Sequence, residues 1–175
     1  MFITQWGGTM AESKIKYDTS GTLTFTSVNS LASSTTLLGG AESASFDNTT
    51  TLYQDVVVGM TIKMGASTPT VSKSIEVWLI PILDGTPTWP DVFDGTDSAE
   101  TVTSRNVLFG AAKLAKVFTT DATANQEYEG TFNVADICAG IVPPKFSLFV
   151  VQDSGQALAS SGHVFKTTGI TFQSV

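Results

Sequence analysis

The chain is patterned with a period of two. Apolar and polar residues alternate in short runs, and each run is closed by Gly, Pro, Asp, Asn or Ser, the mark of half-buried β-strands joined by turns. Ile15-Lys16-Tyr17 precedes a turn at Asp18-Thr19-Ser20-Gly21, and Leu23-Thr24-Phe25-Thr26 then alternates cleanly. Tyr53 to Met64 sets Val56, Val58, Met60, Ile62 and Met64 on one face. Ser74 to Leu83 is the strongest run: Ile75, Val77 and Leu79 alternate with Glu76, Trp78 and Ile80. Its second face is also apolar and must be partly covered, by another layer or by a subunit. Lys145 to Gln152 sets Phe146, Leu148 and Val150 against Ser147, Phe149 and Val151. Ala115–Phe118, Glu127–Phe132, His163–Thr167 and Ile170–Phe172 complete the predicted strands.

The connections are long and rich in turn formers. Ser27 to Thr51 carries Gly39-Gly40 and few charges, and reads as a connection with one irregular edge strand around Ser43–Phe46. Asp84 to Asn106, with Pro87, Pro90 and Gly95, reads as a loop. Leu108, Ala112 and Ala115 have helical spacing, but the run continues as a strand, so an irregular piece is expected there. Val134–Ala139 is expected to make a short helical turn, stopped by Gly140 and Pro143-Pro144. About eight short strands with little helix predict an all-β fold, a two-sheet antiparallel sandwich of jelly-roll-like form. It would occupy residues 14–175 as one domain, with residues 1–13 as a flexible N-terminal arm.

Composition narrows the function. Of 175 residues only 14% are charged, and the net charge is −7 with nine Lys and Arg thinly spread. No basic patch exists for nucleic acid, and an acidic chain is poorly suited to an anionic membrane surface. A weakly charged, Thr- and Ser-rich surface suits contact with other subunits, because few charges need desolvating. The first ten residues lack the basic n-region and long apolar core of a signal peptide, and Met10 offers an alternative start.

Candidate chemistry is sparse. The chain has one histidine, His163, and one cysteine, Cys138, which lies in an apolar stretch and is expected to be a buried thiol. Asp153 would be the acid of a triad with His163, but no Gly-x-Ser-x-Gly elbow is present. Asp91, Asp94, Asp97 and Glu100 gather four carboxylates in ten residues, yet without calcium-loop spacing; Asp and Gly at these offsets also make ordinary turns. Glu76 and Asp136 are the acids in the most apolar settings. Asn48-Thr49-Thr50 matches a glycosylation sequon. No catalytic, cofactor or metal residue is assigned, and an enzyme is not expected.

Interaction residues are better candidates. Phe2, Ile3 and Trp6 precede a Gly7-Gly8 hinge, which would let an apolar tip reach a neighbour, with Trp6 as anchor; the alternative is that the stub packs on its own domain. Trp78 sits on the second apolar face. Trp89 and Phe93 either stack on a sugar, with Tyr53 and Tyr128, or pin the long loop to the domain.

Two stretches carry a resemblance. Leu83-Asp84-Gly85-Thr86-Pro87-Thr88-Trp89-Pro90-Asp91-Val92-Phe93-Asp94-Gly95-Thr96-Asp97, continuing to Thr103-Ser104-Arg105-Asn106-Val107-Leu108, resembles small structural proteins of tailed bacteriophages. So does Pro143-Pro144-Lys145-Phe146-Ser147-Leu148-Phe149-Val150. The resemblance runs from about Ile15 onward. It implies a virion component, of the kind that cements or decorates the capsid, made in the host cytoplasm and bound to the major capsid protein. It implies no catalytic residues. It also favours a homo-oligomer, with a trimer leading, because decoration proteins sit on symmetry axes. The alternative is a tail- or fibre-associated module that recognises glycans or a receptor.

Overall fold

The two most apolar runs lie side by side. β6 (Ser74–Ile82) and β10 (Lys145–Gln152) pair antiparallel from Ile75 opposite Gln152 to Ile82 opposite Lys145. Both faces of each are buried along most of their length, as expected of strands at the centre of a layered fold. The computed structural model describes residues 13–82 and 89–174. The other elements are β1 (Ser13–Tyr17), β2 (Gly21–Thr22), β3 (Gly39–Glu42), β4 (Phe46–Asp47), β5 (Asp55–Lys63), β7 (Ser98–Thr101), α1 (Arg105–Ala111), β8 (Lys113–Thr119), β9 (Glu127–Asn133), α2 (Val134–Ile137) and β11 (Val164–Ser174).

The strands form two antiparallel sheets. One runs β1-β11-β5-β9, with β2 also on β11; the other runs β7-β3-β10-β6-β8, with β4 also on β10. They face each other as a sandwich. Val58 and Ile62 of the first sheet and Val77, Leu79, Phe146 and Leu148 of the second meet in one core, each fully buried. For β5, β6 and β10 the period-two reading therefore gives both the strand and its inward face.

The outer faces differ. Trp78, Ile80, Phe149 and Val151 on the back of the second sheet form a separate apolar cluster, covered by Phe93, Val102, Leu108 and Ala112. The cover is the chain's own segment 89–112, so the second apolar face is sealed internally. Along β5 in the first sheet, buried inward residues alternate with half-exposed outward ones.

Several boundaries depart from expectation, each for a local reason. Leu23–Thr26 is not a strand, although Leu23 and Phe25 are buried. It crosses between sheets: Leu23 N–H donates to Phe165 O (3.0 Å), and Ala44 N–H donates to Thr24 O (2.9 Å). The expected edge strand at 43–46 is replaced by β3 and β4, and β3 is interior, between β7 and β10. Arg105–Ala111 is an α-helix, not an irregular piece. Ser104 Oγ accepts from Val107 N–H (3.2 Å) as its N-cap, and Leu108 anchors it to the cluster below. The long loop contains β7. The last two predicted strands are one, because Gly169 continues the ladder where a side chain could not: a Cβ there would lie 2.3 Å from the Tyr53 ring. Ser13, expected to close the arm, begins β1.

Candidate functional site

Most of the chemical candidates are tied to a structural task. In the acidic loop, Asp91 accepts from Thr103 N–H (2.9 Å) and Oγ1–H (2.6 Å), and Asp94 accepts from Thr96 N–H (2.8 Å). Asp97 accepts from Thr26 N–H and Oγ1–H (both 2.6 Å) and from Ser27 N–H (2.9 Å). Glu100 accepts from Ser98 Oγ–H (2.8 Å). Burial alone would raise the Asp97 pKa, but the donors of Ser27 and Thr26 outweigh it and hold the carboxyl below its ordinary range. Asp94 makes an Asx turn within the loop, while Asp91 and Asp97 tie it to other segments of the chain; among the described residues no cluster of His, Cys, Asp and Glu converges as metal ligands would.

His163 is held as a neutral ring. Its Nδ1 accepts from Lys63 N–H (3.2 Å), which leaves Nε2 to donate to Ala159 O (2.9 Å). Burial pushes its pKa down. Asp153 is engaged elsewhere, with Ser74 N–H (2.7 Å) and the Lys73 ammonium (3.1 Å), so it does not orient His163. Glu76 is buried, but its carboxylate is neutralised by Arg105. Asp136 is exposed. Cys138 is half-buried, and burial raises its thiol pKa. Asn48 is buried, with its amide engaged on both sides by Tyr53 main chain (Nδ2–H to O, 3.0 Å; N–H to Oδ1, 2.8 Å).

The predicted interaction residues separate into three groups. Phe2, Ile3 and Trp6 lie outside the described residues. Trp78 and Phe93 are corrected: at 1% and 4% exposure they sit inside the second cluster and present no free surface. Phe93 packs edge-on against Phe149, with ring centroids 5.2 Å apart. Trp89 is half-buried, with its indole against Gly95, where a Cβ would approach it to 2.7 Å. Trp89 and Phe93 thus pin the loop. The Tyr53 ring covers Gly169 and its hydroxyl donates to Asp18 (2.6 Å), while Tyr128 packs against Phe118. The rings considered for sugar stacking are used within the fold.

Two features had no reading from sequence. Glu42 is fully buried, with no cation beside it among the described residues; it accepts from Ser147 Oγ–H (2.6 Å), Gly95 N–H (3.0 Å) and Asp94 N–H (3.1 Å). It fastens the acidic loop to the sheet, and burial raises its pKa despite those donors. The second feature is apolar exposure. Ile15, Tyr17 and Phe172 are 57%, 64% and 58% exposed. Ile15 stands opposite Phe172 and Tyr17 opposite Ile170, which places all of them on the outer face of the first sheet. Strand alternation predicted β1; it could not show that this face stays bare.

The chain matches no protein-family model and no curated protein. Among the described residues no helix is long and apolar enough to cross a membrane.

Proposed function

We propose that this chain is a structural protein of a tailed-bacteriophage particle, a cement or decoration protein that binds the assembled major capsid protein at the capsid surface. One observation carries the reading. The acids Asp91, Asp97 and Glu76 and the histidine His163 are engaged in bonds within the chain, while several large apolar side chains remain exposed. Such a surface is matched to protein contact. The reading is non-enzymatic.

The winding is also compatible. Count β1 and β2 as one strand and set aside β4 and β7. The sheets then run first-eighth-third-sixth and second-seventh-fourth-fifth, which we read as a jelly roll, a form used by capsid proteins and also by lectins. Fold therefore does not choose between them. Engagement of Trp89, Phe93, Tyr53 and Tyr128 within the fold favours the protein partner over a glycan.

The mechanism is mass action. A protein that binds the assembled lattice and not free subunits stabilises the lattice by RT ln(1 + [L]/Kd), about 2.7 kcal/mol at a free concentration of 100 Kd. The test is co-sedimentation of the purified chain with particles that lack it, beside free capsid subunits. Binding to particles alone, with a higher temperature of DNA release, is expected. Absence of binding to particles overturns the reading.

A further inference from the structure

Three hydrogen bonds close a ring at the end of β5. Ala159 N–H donates to Lys63 O (2.9 Å), Lys63 N–H donates to His163 Nδ1 (3.2 Å), and His163 Nε2–H donates to Ala159 O (2.9 Å). The ring takes over where the ladder between β5 and β11 stops, at Val164 opposite Thr61. One side chain thus helps to fasten segment 154–162 to the first sheet. The segment carries Leu158, which is 2% exposed and forms an isolated bridge with the fully buried Met64. Gly155 and Gly162 bracket it with φ of 78° and 88°, in the left-handed region where glycine turns at little cost. The segment also borders an open cavity of about 520 Å³, shared with Gly65, Ser67 and Asn125, which leaves it room to move.

We infer that His163 is an acid-sensitive latch, whose protonation releases segment 154–162 from the end of β5 and uncovers Leu158 and Met64 while both sheets stay intact. The geometry requires a neutral ring. A main-chain N–H only donates and a carbonyl only accepts, so the two contacts fit one tautomer, with Nδ1 bare and Nε2 protonated. The imidazolium donates from both nitrogens. Whichever way it turns, an N–H faces the Lys63 N–H, and that amide loses its acceptor. The surroundings do not compensate the added charge. Lys63 on β5 is a like charge that disfavours it, itself held by Glu127 of β9 (2.9 Å), and Lys166 stands three residues further along β11. Asp153, the acid just before the segment, is committed to Lys73 and Ser74. Residues 22–31 and 64–72, which bond to the segment through Ser30, Leu31, Gly65 and Thr70, include no acid or base. Those bonds are neutral main-chain bonds. Acid therefore raises the population of an open form without reshaping the closed one. Burial of the ring, which already opposes its charge, acts in the same direction.

The latch does not depend on what the chain binds. Amide hydrogen exchange of the full chain at pH 7 and pH 5, corrected for intrinsic rates, tests it. The amides of Lys63, Leu158 and Ala159 should lose protection by roughly tenfold at pH 5, with about thirtyfold the ceiling for an open-state imidazole of ordinary pKa 6.5. At pH 5 their exchange should also respond little to low urea, as a local opening does. Amides of Leu148 and Val150, at the centre of β10, should respond steeply, as global unfolding does. No loss of protection, or equal urea dependence in the two groups, overturns the inference. In His163→Gln, Oε1 can accept from Lys63 and Nε2–H can donate to Ala159 without titrating, so the pH effect on the three amides should vanish; its persistence overturns the inference. If that variant fails to fold, proton NMR of His163 in the unaltered chain decides. The ring should titrate below 6.5, and the loss of protection should level off at the pH where it does. A ring that titrates at 6.5 or above, or a loss that continues past the ring's own midpoint, overturns the inference.

Discussion

Arg105 grips Glu76 with both arms of its guanidinium, Nη1 at 2.7 Å from Oε2 and Nη2 at 3.1 Å from Oε1. The pair joins α1 to the back of the second sheet. Trp78 Nε1–H adds a third bond to the same carboxylate (2.9 Å), and the guanidinium lies over the Trp78 and Phe109 rings at 5.2 and 5.1 Å. Arginine suits this site because its planar fork can bond a carboxylate and stack on a ring at once. Arg105→Met should cost about 3 kcal/mol, since it strands a buried carboxylate. Adding Glu76→Gln should recover a large part of that loss. Urea denaturation of the two single variants and the double variant measures the coupling; additive losses would refute it.

Gly40 lies in β3, and a Cβ there would stand 2.4 Å from the Phe149 ring and 2.5 Å from the Val150 carbonyl oxygen. A lone ring can rotate aside, but the backbone of the paired strand cannot. Gly40→Ala is expected to destabilise by about 1–3 kcal/mol, the usual cost of overpacking. Gly110, with nothing within 4 Å of its Cβ position, serves as the control. Gly110→Ala should be neutral or slightly stabilising in thermal melts, because alanine favours helix.

Leu148 is fully buried at the centre of the core. Leu148→Ala should cost about 2–5 kcal/mol in the same assay, through lost burial and a cavity between two rigid sheets.

His163 should make stability depend on pH. Burial lowers its pKa in the fold below the ordinary 6.5, so on acidification the unfolded chain takes up the proton first. Stability from this group is complete above pH 6.5 and falls as pH drops from there toward the folded pKa. Asp97 and Asp153, both lowered, add a second loss below their ordinary 3.8. Glu42, raised above its ordinary 4.5, acts in the opposite direction: protonation in the fold adds stability as pH falls through its folded pKa. Urea midpoints between pH 7 and 5 should decline for the natural chain and decline less for His163→Gln. Identical slopes would exclude His163 as the source.

The parts of the fold visible in the sequence are those governed by alternation. β5, β6 and β10 have the expected faces, because half-buried and fully buried strands both leave a period-two trace. β3 leaves almost none: two glycines stand where side chains would show the pattern, and its burial comes from neighbours distant in sequence. α1 was obscured because Leu108 and Ala112 give only a short helical stripe, and Ser104 becomes a cap only once the following residues turn. Trp78 marks the limit for function. Alternation shows that its face is covered but not by what, and the covering residues Phe93, Val102 and Leu108 follow no period. The bare face at Ile15 and Phe172 was hidden for the converse reason, since a strand pattern does not reveal where a sheet ends.

The acidic loop gives the last prediction. Asp91, Asp94, Asp97 and Glu100 have a density of charge that suggests calcium, yet each already accepts from a hydroxyl or an N–H nearby. A cation recruiting them together would have to break those bonds, and calcium wants six to eight oxygens. Calcium should therefore leave the melting temperature unchanged; a rise of several degrees, reversed by chelator, would overturn this. The same geometry assigns Asp97 a structural role. It ties the approach to β7 to Thr26 and Ser27, seventy residues away in the chain. Asp97→Ala should then cost about 2 kcal/mol, the scale of losing charge-assisted hydrogen bonds, with or without calcium. If instead the variant's deficit appeared only when calcium was present, the carboxylate would be a ligand and the clamp would be incidental.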